Sequence, residues 1–444
     1  MAEQTFSPTD AQRPFPGLRS FQESNKEQFG GREQEISDLM NLCDQGILTL
    51  VFGQSGIGKT SLLQAGLMPR LQKSLNIPVL IRIDYSSTKS PLEQVKNILY
   101  EKLKPVFPSL HPVGDRSLWR YFHEEALEDG LLIPVLIFDQ FEEVFTLGKK
   151  KAADVREFIT ELSDLAENRI PFRDQQAFRN ELSTSISHFS NHPYRIIISL
   201  REDFLAQMEG LKTEMPSLLI QRYRVLRMNV LQAMDAAMRP AQGLINKEIA
   251  RELISRIPGV KPEDFSSEEH NLRPVVEPFL LSLLCYQMNE ERIRKGAQVF
   301  TSELVQQFNV ANAIEDYYRQ VMEQFPSSIS DSIENELLTE GGFRKLETLE
   351  LMQNQYGWNE AVVQQLTDLR IIRKEERDGV QYIELIHDVL TPTIKSRRDQ
   401  RVMRQMEKTK SEEIRRAIDL DRRRSRKRFQ TVFISAVLLL VSVG

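Results

Sequence analysis

The string Gly53-Gln54-Ser55-Gly56-Ile57-Gly58-Lys59-Thr60 constrains this chain more than any other stretch. It follows the apolar run Ile47-Leu48-Thr49-Leu50-Val51-Phe52 and leads into the helix-favouring Ser61-Leu62-Leu63-Gln64-Ala65. The glycines permit positive φ and let backbone N–H groups curl round a phosphate at a helix N-terminus, where the helix dipole favours anions. Lys59 is expected to reach the β- and γ-phosphates of a nucleotide and the Thr60 hydroxyl to ligate Mg²⁺, with Ser61 closing the set at the start of the helix. Such a string can arise by chance in a loop. The strand before it and the helix after it supply the context a phosphate loop needs.

A second string complements the first. Leu131 to Phe138 is near-continuously apolar, as a strand buried on both faces of a parallel sheet must be, and it ends in Asp139-Gln140-Phe141-Glu142-Glu143. Asp139 is placed to hold Mg²⁺, and Glu142 or Glu143 to polarise an attacking water. Without the phosphate loop this would read as a strand followed by a solvated acidic helix start.

A chain of 444 residues exceeds one core and implies two or three domains. The formal net charge of -5 is unevenly spread. Residues 396–428 hold 14 Lys/Arg against 6 Asp/Glu, so the remainder is acidic, which argues against a nucleic-acid footprint on the body. Cys43 and Cys285 show no metal spacing and fit a reducing compartment. The N-terminus lacks the basic and apolar regions of a signal peptide, and there is no internal repeat.

In chain order, residues 1–28 read as an irregular arm, with Pro14 and Pro16 around Phe15. Residues 29–242 alternate strands with helices: a strand over Pro78–Asp84, helices over Pro91–Leu103, Leu118–Leu127, Ala152–Ala166 and Gln175–Phe189, a strand over Tyr194–Leu200 ending at Arg201, and a fifth over Tyr223–Met228. This is a doubly wound α/β domain with a five-stranded, mainly parallel sheet. A cation such as Arg201 at the carboxyl end of a strand beside the acidic one can sense a γ-phosphate; it can also pair with Glu202 or Asp203. Residues 243–308 read as an all-helical domain. Residues 309–395 read as a winged helix, with helix Glu360–Leu369 feeding a hairpin over Arg370–Leu385 that turns at Arg377-Asp378-Gly379. Few cations lie on that helix, so nucleic acid is not the expected partner. Residues 396–428 read as a basic helical stalk, and the uncharged run 429–444 as a transmembrane segment. That run is short for a bilayer, so it is expected either to be cut inside a longer span or to insert partially, with the basic cluster holding the ATPase on the cytoplasmic face of the inner membrane.

Taken together, Phe29-Gly30-Gly31-Arg32-Glu33, Gly53 to Thr60, Asp139-Gln140-Phe141-Glu142-Glu143, Ser199-Leu200-Arg201, Pro278 and Ile386-His387-Asp388 resemble the STAND class of signal-transduction P-loop ATPases. The chain looks like the bacterial novel-STAND group, related to NACHT, NB-ARC and AAA+-like ATPases, over residues 14 to 395. Gln140 stands where glycine is usual, Ile386 where methionine is, and Val276-Glu277-Pro278 departs from Gly-x-Pro. The resemblance implies ATP and ADP with Mg²⁺ as ligands, Phe29, Gly30 and Pro278 beside the adenine, and His387 holding the β-phosphate of ADP in a closed state. It further implies a switch with slow hydrolysis, an unidentified trigger, homo-oligomerisation with ATP, and a signalling or defence role. A continuously hydrolysing AAA+-type motor and a nucleotide-binding scaffold without turnover are the alternatives.

Overall fold

The structure, a computed structural model, describes residues 12–17, 19–85, 87–124, 132–145, 148, 151–175, 193–377, 380–386 and 390–442. The chain divides into two compact units, Met1–Ala313 and Ile314–Gly444.

The first unit is built on five parallel strands: β1 (Leu48–Gly53), β2 (Asn76–Ile81), β3 (Ile133–Phe138), β4 (Arg195–Arg201) and β5 (Arg222–Arg224). They lie in the order β2-β3-β4-β1-β5. Alternate residues feed two cores. Leu136, Phe138, Ile196 and Ile198 face one with Leu48 and Leu50, while Val135, Ile137 and Ile197 face the other with Val51. Burial on both faces explains why β3 and β4 read as unbroken apolar runs. The sheet is wholly parallel among the described strands. The expected fifth strand stops at Arg224, although the Val225 N–H still donates to the Phe52 carbonyl over 2.8 Å.

Helices cover both faces. Pro91–Leu103 and Ala152–Ala166 form as expected, the former with Ser90 capping the Glu93 N–H and Pro91 at its first turn. Leu118–Glu124 is helical, and residues 125–127 and the expected helix 176–189 lie outside the described residues. Beyond the sheet come Val230–Met238, Lys247–Ser255, Pro278–Arg294 and Ser302–Gln307.

The arm, for which the sequence offers no partner, docks along Pro278–Arg294. The Gln12 carbonyl accepts from Asn289 Nδ2 and Arg292 Nη2, each at 2.9 Å, and Arg13 pairs with Glu290 at 3.0 Å. Phe15 is buried edge-on to Phe300, and the Gly17 carbonyl accepts from Ser282 Oγ. Gly17 has φ +68, and a Cβ there would lie 3.3 Å from the Tyr286 ring, so both conformation and close approach favour glycine. Cys43 and Cys285 are free and buried, and burial pushes each thiol up to about 12, which leaves both unreactive.

The second unit carries helix Ser327–Glu336, β6 (Glu347–Thr348), helices Leu349–Tyr356 and Glu360–Asp368, and the hairpin β7 (Ile372–Arg377) and β8 (Val380–Leu385). The three strands are antiparallel in the order β6-β8-β7, a winged-helix arrangement. The two-residue β6 and the helix after it carry too weak a period to be read from sequence.

Helix Thr391–Ser442 runs unbroken through the expected stalk and into the apolar run. Its start is fastened by the buried Glu334, which meets Arg401 at 2.5 Å and Arg397 at 3.5 Å. No helix among the described residues is long and apolar enough to cross a membrane. This overturns the expected transmembrane segment 429–444 and the anchoring of the C-terminus to the inner membrane. From Phe429 to Ser442 the apolar part spans about 21 Å of helix, against about 30 Å of hydrocarbon, and the residues before it are arginine-rich.

Candidate functional site

Three strands end together at one edge of the sheet. Gly53 on β1 is opposite Arg201 on β4, and Phe138 on β3 is opposite Ile198, which aligns Asp139 with Ser199. The carboxyl edge of a parallel sheet is where ligands of such folds sit.

The loop Gly53–Thr60 curls out of β1 and enters a helical rod made of Lys59–Ser61, Leu62–Leu67 and Met68–Leu71, the middle segment being a π turn. Gly58 has φ +92, with no heavy atom within 4 Å of an added Cβ, so it is glycine for conformation alone. At Gly53 the reason is space, since a Cβ would come within 2.7 Å of the Val225 carbonyl. Ile57 anchors the loop in the core, and its carbonyl accepts from Arg32 Nη2 at 3.2 Å. Gln54 is exposed, with Ser55 and Gly56 beside it. Lys59 Nζ donates to the Gly53 and Gln54 carbonyls at 2.8 and 3.1 Å. The Thr60 hydroxyl donates to Asp139 Oδ2 at 2.9 Å. Ser61 Oγ accepts from the Phe21 N–H at 3.1 Å, so the arm touches the phosphate-loop helix before its own short 3-10 helix, Glu23–Gln28.

Asp139 is 6% exposed at the tip of β3. Gln140 follows with φ +58, in the left-handed region, at the position where the resembling proteins carry glycine. The short turn Phe141–Phe145 then sends its two glutamates apart. Glu142 Oε2 accepts from the Arg201 backbone N–H at 3.3 Å. Burial holds the Glu142 carboxyl above the usual range; Lys59 and Arg201 oppose that shift and Asp139 adds to it, which places all four in one electrostatic neighbourhood. Glu143 is buried on the β2 side, where Arg82 reaches it at 3.4 Å. The two glutamates that were interchangeable in sequence are not so in space.

Arg201 is 9% exposed, and of its two neighbouring acids it pairs with Asp203. The Phe29-Gly30-Gly31-Arg32-Glu33 segment packs against Val230–Met238: the Gly31 N–H donates to Asp235 Oδ2 at 2.7 Å, and a Cβ on Gly30 would meet Arg239 Nε and Asp235 Oδ2, both at 2.7 Å. Arg32, 2% exposed, pairs with Glu35 at 2.5 Å and also donates to the Leu226 carbonyl at 2.9 Å. Phe29 is buried in the core with Ile57, Leu62 and Leu63. Pro278 opens its helix just after Val276, which bridges to Met228 past the end of β5. His387 and Asp388 lie outside the described residues.

The site therefore unites Lys59, Thr60, Asp139, Glu142 and Arg201. Thr60 and Asp139 offer two hard oxygen donors of the kind Mg²⁺ takes, so the residues present fit that ion. Sequence reasoning did not single out Asp203 or the strained Gln140 as parts of the site. For Gln140 a signal was present, because a side chain stood where glycine is usual.

The model of the family novel STAND NTPase 1 matches residues 14–396. No curated protein matches the chain. Among solved structures it is similar to the Walker-type ATPase of Pyrococcus abyssi, at 14% identity and TM-score 0.46, covering 85% of this chain and 98% of that one. It is also similar to the ORC2 protein of Aeropyrum pernix in ADPNP-ADP complexes, at 12% identity and TM-score 0.43, covering 91% and 97%. A third is the Cdc6p of Pyrobaculum aerophilum, at 15% identity and TM-score 0.37, covering 83% and 94%.

Proposed function

Because this chain belongs to the novel STAND NTPase 1 family, we propose that it is a Mg²⁺-dependent ATP- and ADP-binding switch that hydrolyses ATP slowly and oligomerises in its ATP state. The observation that carries the reading is the Thr60–Asp139 hydrogen bond of 2.9 Å, with Lys59 one residue away and Glu142 in the same charged neighbourhood.

In this reading the loop N–H groups and Lys59 hold the phosphates, with Lys59 exchanging the Gly53 and Gln54 carbonyls for phosphate oxygens. Thr60 and Asp139 would hold Mg²⁺, which would supply charge neutralisation on the phosphates. Glu142 takes the proton of the attacking water, and burial raises its affinity for that proton. Glu143 is engaged by Arg82 and braces the turn. Arg201 contacts the terminal phosphoryl group. Phe29, Gly30 and Pro278 border the adenine.

Calorimetry with ATP and ADP, with and without Mg²⁺, tests the site. Wild type should bind both, with binding strengthened by Mg²⁺. Absence of binding to the wild type would overturn the assignment. The switch is tested by extracting nucleotide from purified protein and following light scattering on ATP addition. ADP carried through purification and an ATP-dependent rise in mass support it; an empty protein of constant mass refutes it.

A further inference from the structure

Arg201 does not stand alone at the end of β4. Asp203 grips one edge of its guanidinium: Nε lies 3.3 Å from Oδ1, and Nη2 pairs with Oδ2. The Phe204 ring lies 5.7 Å from the guanidinium carbon, so the plane of the group is held as well as its edge. A two-point carboxylate contact plus a ring removes most of the rotational freedom of a long side chain. Phe204 in turn stacks on Phe145, with centroids 6.5 Å apart and planes at 13°. Phe145 closes the turn that carries Glu142, whose carboxylate rests on the Arg201 N–H. The ends of β3 and β4 are thus tied twice, once through the Glu142 carboxylate on the Arg201 N–H and once through rings.

Charge balance alone would require only an acid somewhere near a buried arginine. The grip by Nε and Nη2 does more, because it leaves Nη1 as the one guanidinium nitrogen with no hydrogen-bond partner among the described residues. We infer that Asp203 is a positioning residue, which with Phe204 holds Arg201 in one orientation so that Nη1 is the donor presented to the terminal phosphoryl group of ATP. The inference rests on the reading of Arg201 as the residue that distinguishes ATP from ADP.

The test is a double-mutant cycle on the full chain, reading the ratio of ATP to ADP affinity by calorimetry with Mg²⁺. Arg201→Ala should lower that ratio on the order of 10- to 150-fold, the scale of one charge-assisted hydrogen bond. Asp203→Ala should lower it in the same direction with ADP affinity unchanged, Asp203→Glu should restore part of it, and the double variant should be no worse than Arg201→Ala. Asp203→Asn, which keeps the side-chain shape, replaces Asp203→Ala if the latter does not fold. If Arg201→Ala shifts the ratio and neither Asp203 variant does, or if the two effects add, the positioning role is wrong. If Arg201→Ala leaves the ratio unchanged, the sensor reading fails and the inference falls with it. A merely structural Asp203 would lower the melting temperature and leave the ratio intact.

Discussion

The Thr60 hydroxyl donates to the Asp139 carboxylate across 2.9 Å, joining two residues 79 positions apart in the chain. Their meeting is a product of the sheet. β1 delivers Thr60 and β3 delivers Asp139 to one edge, with β4 between them.

Lys59→Ala removes the loop's cation, and Asp139→Ala removes the carboxylate partner of Thr60. Calorimetry should show Lys59→Ala losing affinity for ATP and ADP alike. Asp139→Ala should lose chiefly the strengthening by Mg²⁺. Wild-type binding by both variants would contradict the site.

The two glutamates should separate in turnover. Glu142→Gln is expected to keep ATP binding while lowering ATP hydrolysis by about 100-fold or more, the usual scale for a general base. Glu143→Gln breaks a pair whose Arg82 is 55% exposed, so it should leave hydrolysis within a few-fold of wild type. The reverse order in a steady-state phosphate-release assay would assign the base to Glu143.

Burial raises the proton affinity of Glu142 above that of an ordinary glutamate. A base acts deprotonated, so kcat should be flat on the alkaline side and fall as pH drops through this raised pKa. The apparent midpoint from a kcat–pH profile should lie above 4.5, the ordinary glutamate value. A profile unchanged down to that value would remove Glu142 from the role.

Gln140 occupies the left-handed region at φ +58. That conformation costs a non-glycine residue about 1–2 kcal/mol, while glycine's extra freedom in the unfolded chain offsets about 0.5–1 kcal/mol of the gain. Gln140→Gly should therefore stabilise the protein by roughly 0.5–1 kcal/mol in urea denaturation, and Gln140→Val should destabilise it. A destabilised glycine variant would mean that the glutamine side chain contributes more than its strain.

Phe15 is buried against Phe300, and its removal should cost about 3–5 kcal/mol locally, the usual scale for Phe→Ala in a core. Limited proteolysis should then cut Phe15→Ala within the arm faster than wild type. Equal cutting would show that the arm is held by its other contacts.

The phosphate loop and the acidic strand were legible because their causes are local. Positive φ at Gly58 is a property of one residue, and burial of β3 on both faces is written into Val135 to Phe138. Pro91–Leu103 and Ala152–Ala166 followed from helical period in the same way, the former with Pro91 marking its first turn. Tertiary structure decided what depends on direction and on distant partners. Glu142 and Glu143 are neighbours in sequence, yet the turn aims one at Arg201 and the other at Arg82. Arg201 had two adjacent acids to choose from, and the turn ending in Phe204 gave it Asp203. The arm has no period of its own, and its contacts with Pro278–Arg294, Phe300 and Ser61 fix its course. The apolar run at 429 was expected to lie in a membrane despite its shortness, on the strength of the arginines before it; among the described residues no helix is long and apolar enough to cross a bilayer. Residue type and short-range sterics act through the chain and can be read along it; orientation and pairing act through space and require the fold.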